Sequence, residues 1–321
     1  MSGLPNDPEF LNGTQAGLFP TKAFPNASIN INPAWDLTTG NSNIKVGVLD
    51  SGINWDHEDF IDGKVVAPKF SRIKGAWDYG AITPNNPLIS PVNPDFDPLG
   101  HGTAMASVIG AIRNNNIGVA SVAGGNGSTD DGVSIYAAKV SNSAVIGSGL
   151  NLKLHAKSIM EGAANIPNSN FGYGLHIMNN SSAATNWQTL YNVVEFAYLN
   201  DVIIIAGSGN DGTNEPYYPA SFNDRWVIKV GASDSKGERY SISTKGYNLD
   251  FLAPGSPNLS ASLVHNSNGY DTGVYGTSVS TAYASGIASL MLSYINSSKV
   301  PNKLAPEDIE NIIRKICEKN S

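Results

Sequence analysis

The sequence has very little cysteine. Cys317 is the one cysteine in 321 residues, so no intramolecular disulfide can form and no redox compartment is indicated. Acidic residues exceed basic ones by 27 to 20 and no basic run occurs, which argues against nucleic acid or an anionic membrane as a partner. No apolar run approaches the roughly 18 residues of a membrane span. Residues 1–15 lack the regions of a signal peptide, so we expect a soluble chain without a secretion signal.

Metal-ligand motifs of zinc enzymes are also missing. There is neither an H-E-x-x-H string nor a Cys/His cluster, so catalytic zinc has no support and no cofactor is expected for catalysis. Four histidines are isolated and are expected at the surface or in the core: His57, His155, His176 and His265. Cys317 shares a helix-spaced apolar stripe with Ile309, Ile312, Ile313 and Ile316, which predicts a core position.

Short apolar runs alternate with helix-period segments from residue 44 onward. The predicted strands are Ile44–Asp50, Val133–Val140, Leu175–Asn179, Val202–Ala206 and Trp226–Val230. Helical spacing occurs at 105–112, 190–197 and 279–295, and a last helix is predicted from Pro306. Several strands are continuously apolar and need cover on both faces. This alternation predicts an α/β domain with a mainly parallel central sheet and helices on both faces.

Two strings place titratable groups at the ends of predicted elements. V-G-V-L-D-S-G-I, residues 46–53, puts Asp50 at the carboxyl end of a strand, where functional groups gather in open α/β sheets. G-H-G-T, residues 100–103, puts His101 at a helix start between glycines that allow close approach. Taken alone, the first is typical of a turn aspartate and the second of a capping or surface histidine.

Two further strings supply a hydroxyl and an amide. G-T-S-V-S-T-A, residues 276–282, puts Ser278 in the first turn of a helix, where an N-cap is the ordinary interpretation and where free N–H groups favour negative charge. V-I-I-I-A-G-S-G-N-D-G, residues 202–212, puts Asn210 just past a buried strand. Its glycines also have the G-x-G-x-x-G spacing of a dinucleotide site. That motif must open a helix, and residues 213–219 contain two prolines, which argues against it.

Together the four strings resemble the subtilisin family of serine proteases, whose signatures surround an Asp, a His, an oxyanion-hole Asn and a Ser in this order. Residues 34–40 and 250–255 are also similar to family segments. An α/β-hydrolase has the order Ser, acid, His, and a chymotrypsin-like enzyme begins with His in an all-β fold. The resemblance implies a subtilisin-like fold over residues 1–321, with 1–43 as an N-terminal extension packed on the domain. It also implies a serine endopeptidase with the triad Asp50, His101 and Ser278, and an oxyanion hole formed by Asn210 and the Ser278 N–H.

The resemblance further implies that an extended peptide pairs with two backbone edges, Gly147-Ser148-Gly149 and Ser181-Ser182-Ala183. Many relatives have Leu or Trp followed by Gly-Gly where this chain has Ser182-Ala183-Ala184, and Tyr217 stands where the base of the primary pocket is expected. These departures predict a preference for small or medium P1 residues. Val279, Ser280 and Ala282 also depart from the usual Met, Ala and Pro. The Tyr218–Pro219 peptide is expected to be cis.

Structural calcium is implied by the same resemblance. The expected ligands are Asp59, Asn115, the carbonyls of Ile117 and Val119, and Asp7; the alternative is a polar loop without metal. Family members generally carry a signal and an inhibitory pro-segment, so we expect a mature secreted enzyme acting on protein or peptide substrates, with an intracellular member as the alternative. A pseudoprotease that binds peptides without cutting them is disfavoured, because no triad member is missing.

Overall fold

The computed structural model describes residues 4–61, 72–78, 97–140, 149–165, 172–257, 259–260, 262–263, 269–298 and 304–318. Its centre is a sheet of seven parallel strands in the order β2-β3-β1-β4-β5-β6-β7. These strands are β1 Lys45–Asp50, β2 Ile73–Asp78, β3 Ser134–Lys139, β4 Ile177–Asn180, β5 Ile203–Gly207, β6 Val227–Ser233 and β7 Phe251–Pro254. A short antiparallel pair, β8 Ser262–Leu263 and β9 Tyr270–Asp271, lies apart from it.

The strands are apolar on both faces because helices cover both faces of the sheet. Ile203 and Ile205 of β5 belong to a first core, while Ile204 between them belongs to a second. Successive side chains of a strand point to opposite faces, so one apolar run supplies both cores. The helices are α1 Pro8–Leu11, α2 Asn32–Trp35, α3 His101–Gly110, α4 Gly149–Ala163, α5 Gln188–Leu199, α6 Thr277–Ser297 and α7 Pro306–Glu318, with a 3-10 turn at Glu58–Phe60.

Helix α6 is the central element of the first core. It contacts α3 and the four strands β4 to β7. Its buried face is rich in small residues, and a Cβ built on Gly286 would lie 2.5 Å from Val122, so a glycine is needed for this close approach. Buried hydroxyls bond within the helix or to the sheet, as Ser285 does to Asn179 at 3.0 Å. The middle of α6 is therefore packed closely on the first core and hydrogen-bonded to the sheet.

The segment before β1 packs onto the same core. Phe10, Leu18 and Trp35 are buried members of the first core, and the Trp35 indole N–H donates to the carbonyl of Val122 at 2.9 Å. The guanidinium of Arg113 lies 4.3 Å from the Trp35 ring centre. These three side chains of the N-terminal segment therefore pack with the helices and strands of the first core.

All five strands expected from the sequence are present, with ends within two or three residues of the predicted ones. Two strands of the sheet, β2 and β7, and helix α4 were missed. The Tyr218–Pro219 peptide is cis, as expected. Cys317 is partly buried against the first core, together with buried Ile309 and Ile313, whereas Ile312 and Ile316 on the expected stripe are exposed. The prediction that Cys317 is a core residue is thus correct only in part.

Candidate active site

Four groups expected to be functional lie at the carboxyl edge of the sheet. Asp50 is the last residue of β1, His101 the first of α3, and Ser278 the second of α6, while Asn210 follows β5 by three residues. Parallel strands bring their carboxyl ends to one edge, so loops far apart in sequence meet there. His101, Asn210 and Ser278 line one cavity of about 420 Å³, with Ser181, Ser182, Ala183, Gly207, Gly209, Asp211, Tyr217, Tyr275 and Thr277.

Asp50 and His101 are directly joined. The Nδ1 atom of His101 lies 2.8 Å from Oδ1 of Asp50, which is buried, and the backbone N–H of Ser51 donates to the same oxygen at 2.7 Å. A carboxylate accepts hydrogen bonds, so the imidazole carries its proton on Nδ1 and leaves the Nε2 lone pair free. Burial lowers the pKa of His101, but the charge and hydrogen bond of Asp50 outweigh it and the pKa is raised above 6.5.

Ser278 lies in the first turn of α6. Its hydroxyl donates to the carbonyl oxygen of Ser181 at 3.3 Å, and the described residues include no hydrogen bond between it and His101. Catalytic hydrogen bonds are often loose without substrate and tighten in the complex. The backbone N–H of Ser278 has no acceptor among the residues that the structure describes, as expected at a helix start.

Asn210 is fixed by the residue before the serine. Its Oδ1 accepts from the Thr277 backbone N–H at 2.8 Å and from the Thr277 hydroxyl at 3.1 Å. The side-chain oxygen is thus occupied and the Nδ2 amide remains as a donor. A Cβ on Gly276, whose φ is 110°, would lie 3.0 Å from Nδ2, so the close contact and the backbone conformation both favour glycine there.

Of the seven residues expected to bind substrate, four line the cavity: Ser181, Ser182, Ala183 and Tyr217. Gly149 is the first residue of α4. Gly147 and Ser148 lie outside the described residues.

Asp211 is a cavity residue that sequence reasoning missed. Its carboxylate accepts hydrogen bonds from the hydroxyls of Thr244 at 2.6 Å and Tyr217 at 2.9 Å. These bonds, with those of Thr213, lower its pKa to about 2. A strongly ionised group therefore faces the cavity immediately after Asn210, and its place in the N-D-G string was the available signal.

The residues expected to hold calcium lie together. Asp7 and Asp59 are both fully buried. Asp59 accepts from the Asn115 amide at 2.8 Å and the Val119 N–H at 2.9 Å, and Asp7 accepts from the Asn114 N–H at 2.8 Å. Burial raises the pKa of Asp7 to about 6 and that of Asp59 well above its ordinary value, and the charge of Asp7 adds to the latter shift.

The oxygens of these two carboxylates suit calcium, but their observed partners are N–H donors. Within the described ranges, no three His, Cys, Asp or Glu side chains form a group able to hold a metal ion. Asn115 directs its Nδ2 towards Asp59, while its Oδ1 accepts from the Ile117 N–H at 2.9 Å. Coordination by Asn115 therefore requires its amide to turn over.

Comparison with known proteins gives the family. The profile of the subtilase family matches residues 41–319. Subtilisin DY of Bacillus licheniformis is 33% identical over 272 residues, 82% of this chain and 83% of that protein. Thermitase of Thermoactinomyces vulgaris is 29% identical over 296 residues, 90% of this chain and 85% of thermitase. The solved structure of a protease from Pseudoalteromonas arctica PAMC 21717 matches with a TM-score of 0.71 over 98% of this chain and 92% of that chain, at 22% identity, a likeness of fold.

These matches define the class: the chain belongs to the subtilase family. Within that class it is a subtilisin-like serine protease, and the predicted α/β fold with a parallel central sheet is confirmed. Among the described residues, no helix combines the length and the apolar character needed to cross a bilayer.

Proposed function

We propose that this chain is a serine endopeptidase that cleaves peptide bonds through an acyl-enzyme on Ser278, with His101 as the base and Asp50 as its orienting partner. The observation that carries the proposal is the 2.8 Å contact between His101 and Asp50 in a site whose cavity also contains Ser278 and Asn210. A serine hydroxyl is a poor nucleophile at neutral pH and needs such a base.

The Asp50 contact explains what the imidazole does. With its Nδ1–H held by Asp50, His101 offers Nε2 to take the proton of the Ser278 hydroxyl as this oxygen attacks the scissile carbonyl. The same Nε2–H then protonates the leaving amine, and water repeats the sequence on the acyl-enzyme. Asp50 stabilises the imidazolium formed in each half reaction. The hydroxyl must first leave the Ser181 carbonyl, which a bound peptide can displace.

Two donors are available for the oxyanion. The Nδ2 of Asn210 is the free end of an amide whose oxygen is bonded to Thr277, and the backbone N–H of Ser278 has no acceptor in the described structure. Both lie at the start of the 21-residue helix α6, whose dipole favours negative charge. Donors held in place before charge develops stabilise the transition state without reorganisation.

The cavity supports a preference for small or medium P1 residues. Tyr217 packs on Gly209, where an added Cβ would lie 2.6 Å from its ring, and its hydroxyl is held by Asp211. Ser182 is buried and lines the same cavity. The ring thus occupies part of the cavity, and its hydrogen bond to Asp211 favours this position. Profiling on a peptide library should give the best cleavage after small or medium residues, and strong cleavage after Phe or Trp would contradict this preference.

A structural calcium ion would be held by Asp7 and Asp59 with oxygens of Asn115, Ile117 and Val119. Burial raises the pKa of both carboxyl groups, and the charge of Asp7 raises that of Asp59 further, so a bound cation would stabilise their ionised forms. The ion would tie the N-terminal segment to the loop after α3 and takes no part in the reaction. Secretion of a mature form, with a pro-segment as inhibitor, stays a prediction; sequencing the N-terminus of the protein recovered from culture medium and from cells tests it.

The test of the proposed function compares the chain with its Ser278→Ala variant on an unfolded protein such as casein. We expect rapid cleavage by the wild type and a loss of most activity in the variant, with new termini inside the substrate chain. A matched control is Ser297→Ala, which changes an exposed hydroxyl at the far end of α6. Equal cleavage by Ser278→Ala would exclude Ser278 as nucleophile, and peptide binding without cleavage by the wild type would indicate a pseudoprotease.

A further inference from the structure

A second buried carboxylate, Asp97, lies against the backbone on either side of His101. Its side chain accepts five hydrogen bonds. At Oδ1 the donors are the Ser51 hydroxyl at 2.7 Å and the backbone N–H groups of Leu99 at 3.3 Å and Gly100 at 2.9 Å. At Oδ2 they are the backbone N–H of Thr103 at 2.8 Å and its hydroxyl at 2.7 Å. Four of these five bonds come from the three residues Leu99, Gly100 and Thr103, which bracket His101.

Ser51 links Asp97 to the other half of the site. A hydroxyl has one proton, and the 2.7 Å contact to Asp97 is shorter than the 3.2 Å contact to Asp50, so the Ser51 hydroxyl donates its hydrogen bond to Asp97. The same oxygen accepts the backbone N–H of Gly102 at 3.0 Å. The Ser51 backbone N–H donates to Asp50 Oδ1 at 2.7 Å. Ser51 thus connects Asp97 to Asp50, which is the carboxylate partner of His101, and also to α3, the helix that carries His101.

The arrangement fixes both ends of the imidazole contact. Asp97 receives N–H groups from the start of α3, where intrahelical acceptors are lacking, and negative charge there also suits the helix dipole. Thr103, bonded to Asp97, accepts the backbone N–H of Asn54 at 2.8 Å and so ties the loop after β1 to the same helix. Asp97 is also, after Asp50, the other described acidic group whose charge raises the pKa of His101.

We propose that Asp97 is a positioning residue of the protease, which through Ser51 holds Asp50 and His101 at hydrogen-bonding distance and adds negative charge behind the imidazole. The proposal rests on the proposed function of the triad. Asp97 is buried and is not among the residues that line the cavity, so its effect must pass through His101. Removal of the Asp97 carboxylate should therefore lower kcat and leave KM unchanged.

The experiment measures kcat, KM and the pH dependence of kcat/KM on a peptide p-nitroanilide for the wild type, Asp97→Asn, Asp97→Glu, Ser51→Ala and the Asp97→Asn/Ser51→Ala double variant. Asp36→Asn is the matched control, because Asp36 is an exposed carboxylate after α2. Ser278→Ala serves as the check on the proposed function itself. Circular dichroism verifies folding of each variant at the assay temperature.

We expect Asp97→Asn to lower kcat by about 10- to 100-fold with KM unchanged, the range that a misplacement of roughly 1 Å produces. The acid limb of its kcat/KM profile should move to lower pH, because a negative charge near His101 is lost. Asp97→Glu keeps that charge and should keep the acid limb near the wild-type position. Ser51→Ala should lower kcat in the same direction. The double variant should lose little more than Asp97→Asn alone, because both changes break one chain of contacts.

The proposal is overturned if folded Asp97→Asn matches Asp36→Asn in kcat and acid limb, or if the losses of the two single variants multiply in the double variant. Should Asp97→Asn fail to fold, Ser51→Ala decides, since it removes one hydroxyl and leaves the bonds of Asp97 to the backbone of α3; wild-type kcat in that variant refutes the proposal. Activity retained by Ser278→Ala would instead refute the proposed function.

Discussion

Gly102 provides a steric test of the Asp50–His101 contact. It directly follows His101, and a Cβ built on it would lie 2.0 Å from the carbonyl oxygen of Gly52 and 3.0 Å from the Asp50 Cβ. Asp50 ends β1 and Gly52 lies in the loop that follows it, and the nearer atom is a backbone carbonyl oxygen that cannot rotate away. The start of α3 must therefore pack against this loop without any side chain at position 102.

The size of the disturbance in Gly102→Ala follows from these distances. Ordinary van der Waals contact begins near 3.4 Å, so helix and loop must separate by about 1.4 Å from the 2.0 Å approach. His101 and Asp50 lie on opposite sides of the opened gap. A misplacement of about 1 Å in catalytic geometry costs about 10²-fold, or roughly 2.7 kcal/mol in activation free energy. Alanine favours a helix over glycine by about 1 kcal/mol, so helix propensity gives no reason for a loss.

The assay is kcat on a peptide p-nitroanilide, corrected for the fraction of active sites by titration, with the melting temperature measured in parallel. Gly273→Ala is the control, because a Cβ there meets only the Asp271 carboxylate, at 3.3 Å, on a flexible side chain. We expect Gly102→Ala to lose about 10²-fold or more in kcat and Gly273→Ala to stay close to wild type. A folded Gly102→Ala variant within about threefold of wild type, far below that loss, would refute the reasoning.

Three further predictions concern the oxyanion, the base and the ion. Asn210→Leu should lose roughly 10²- to 10³-fold in kcat with little change in KM, a magnitude taken from the oxyanion asparagine of a subtilisin rather than worked from this structure; an unchanged kcat would remove Asn210 from the oxyanion hole. The acid limb of kcat/KM should lie above pH 6.5, because neutral His101 is the base and Asp50 raises its pKa despite burial; a limb below 6.5 would contradict that balance. Chelation of calcium should lower the melting temperature of the wild type but not of Asp59→Asn, and an unchanged wild-type melting temperature would exclude the calcium site.

The sequence predicted those parts of the fold that have a local signature. Continuous apolar runs identified β1 and β3 to β6, whereas β2 was missed because Ile73–Asp78 mixes Lys74, Gly75 and Asp78 with its apolar residues. Strand β7, Phe251–Pro254, ends in a proline, which cannot donate a ladder hydrogen bond and disfavours a strand prediction. Helix α4 was missed because its sequence, GLNLKLHAKSIMEGA, follows glycines and has a weak apolar stripe. Packing against neighbouring elements, rather than a local sequence pattern, determines β2, β7 and α4.

The candidate site was predictable where a motif marks each residue, and less so where contacts across the fold create the function. Asp50, His101, Asn210 and Ser278 stand in recognisable strings. Asp97 has no motif of its own, since its place behind His101 arises from the turn at 97–100 and from Ser51 on another loop. Asp211 follows Asn210 directly, but its low pKa depends on Thr244, 33 residues later. Such roles depend on tertiary contacts that no local pattern records.

The most direct measurement is labelling with a fluorophosphonate, followed by peptide mass spectrometry, on the wild type and Ser278→Ala. Attack by an activated serine oxygen forms an O–P bond and releases fluoride. If the site works as proposed, one label appears on Ser278, activity falls in proportion to labelling, and Ser278→Ala takes up none. A catalytically active chain that carries its label on another residue, or none at all, would contradict the account.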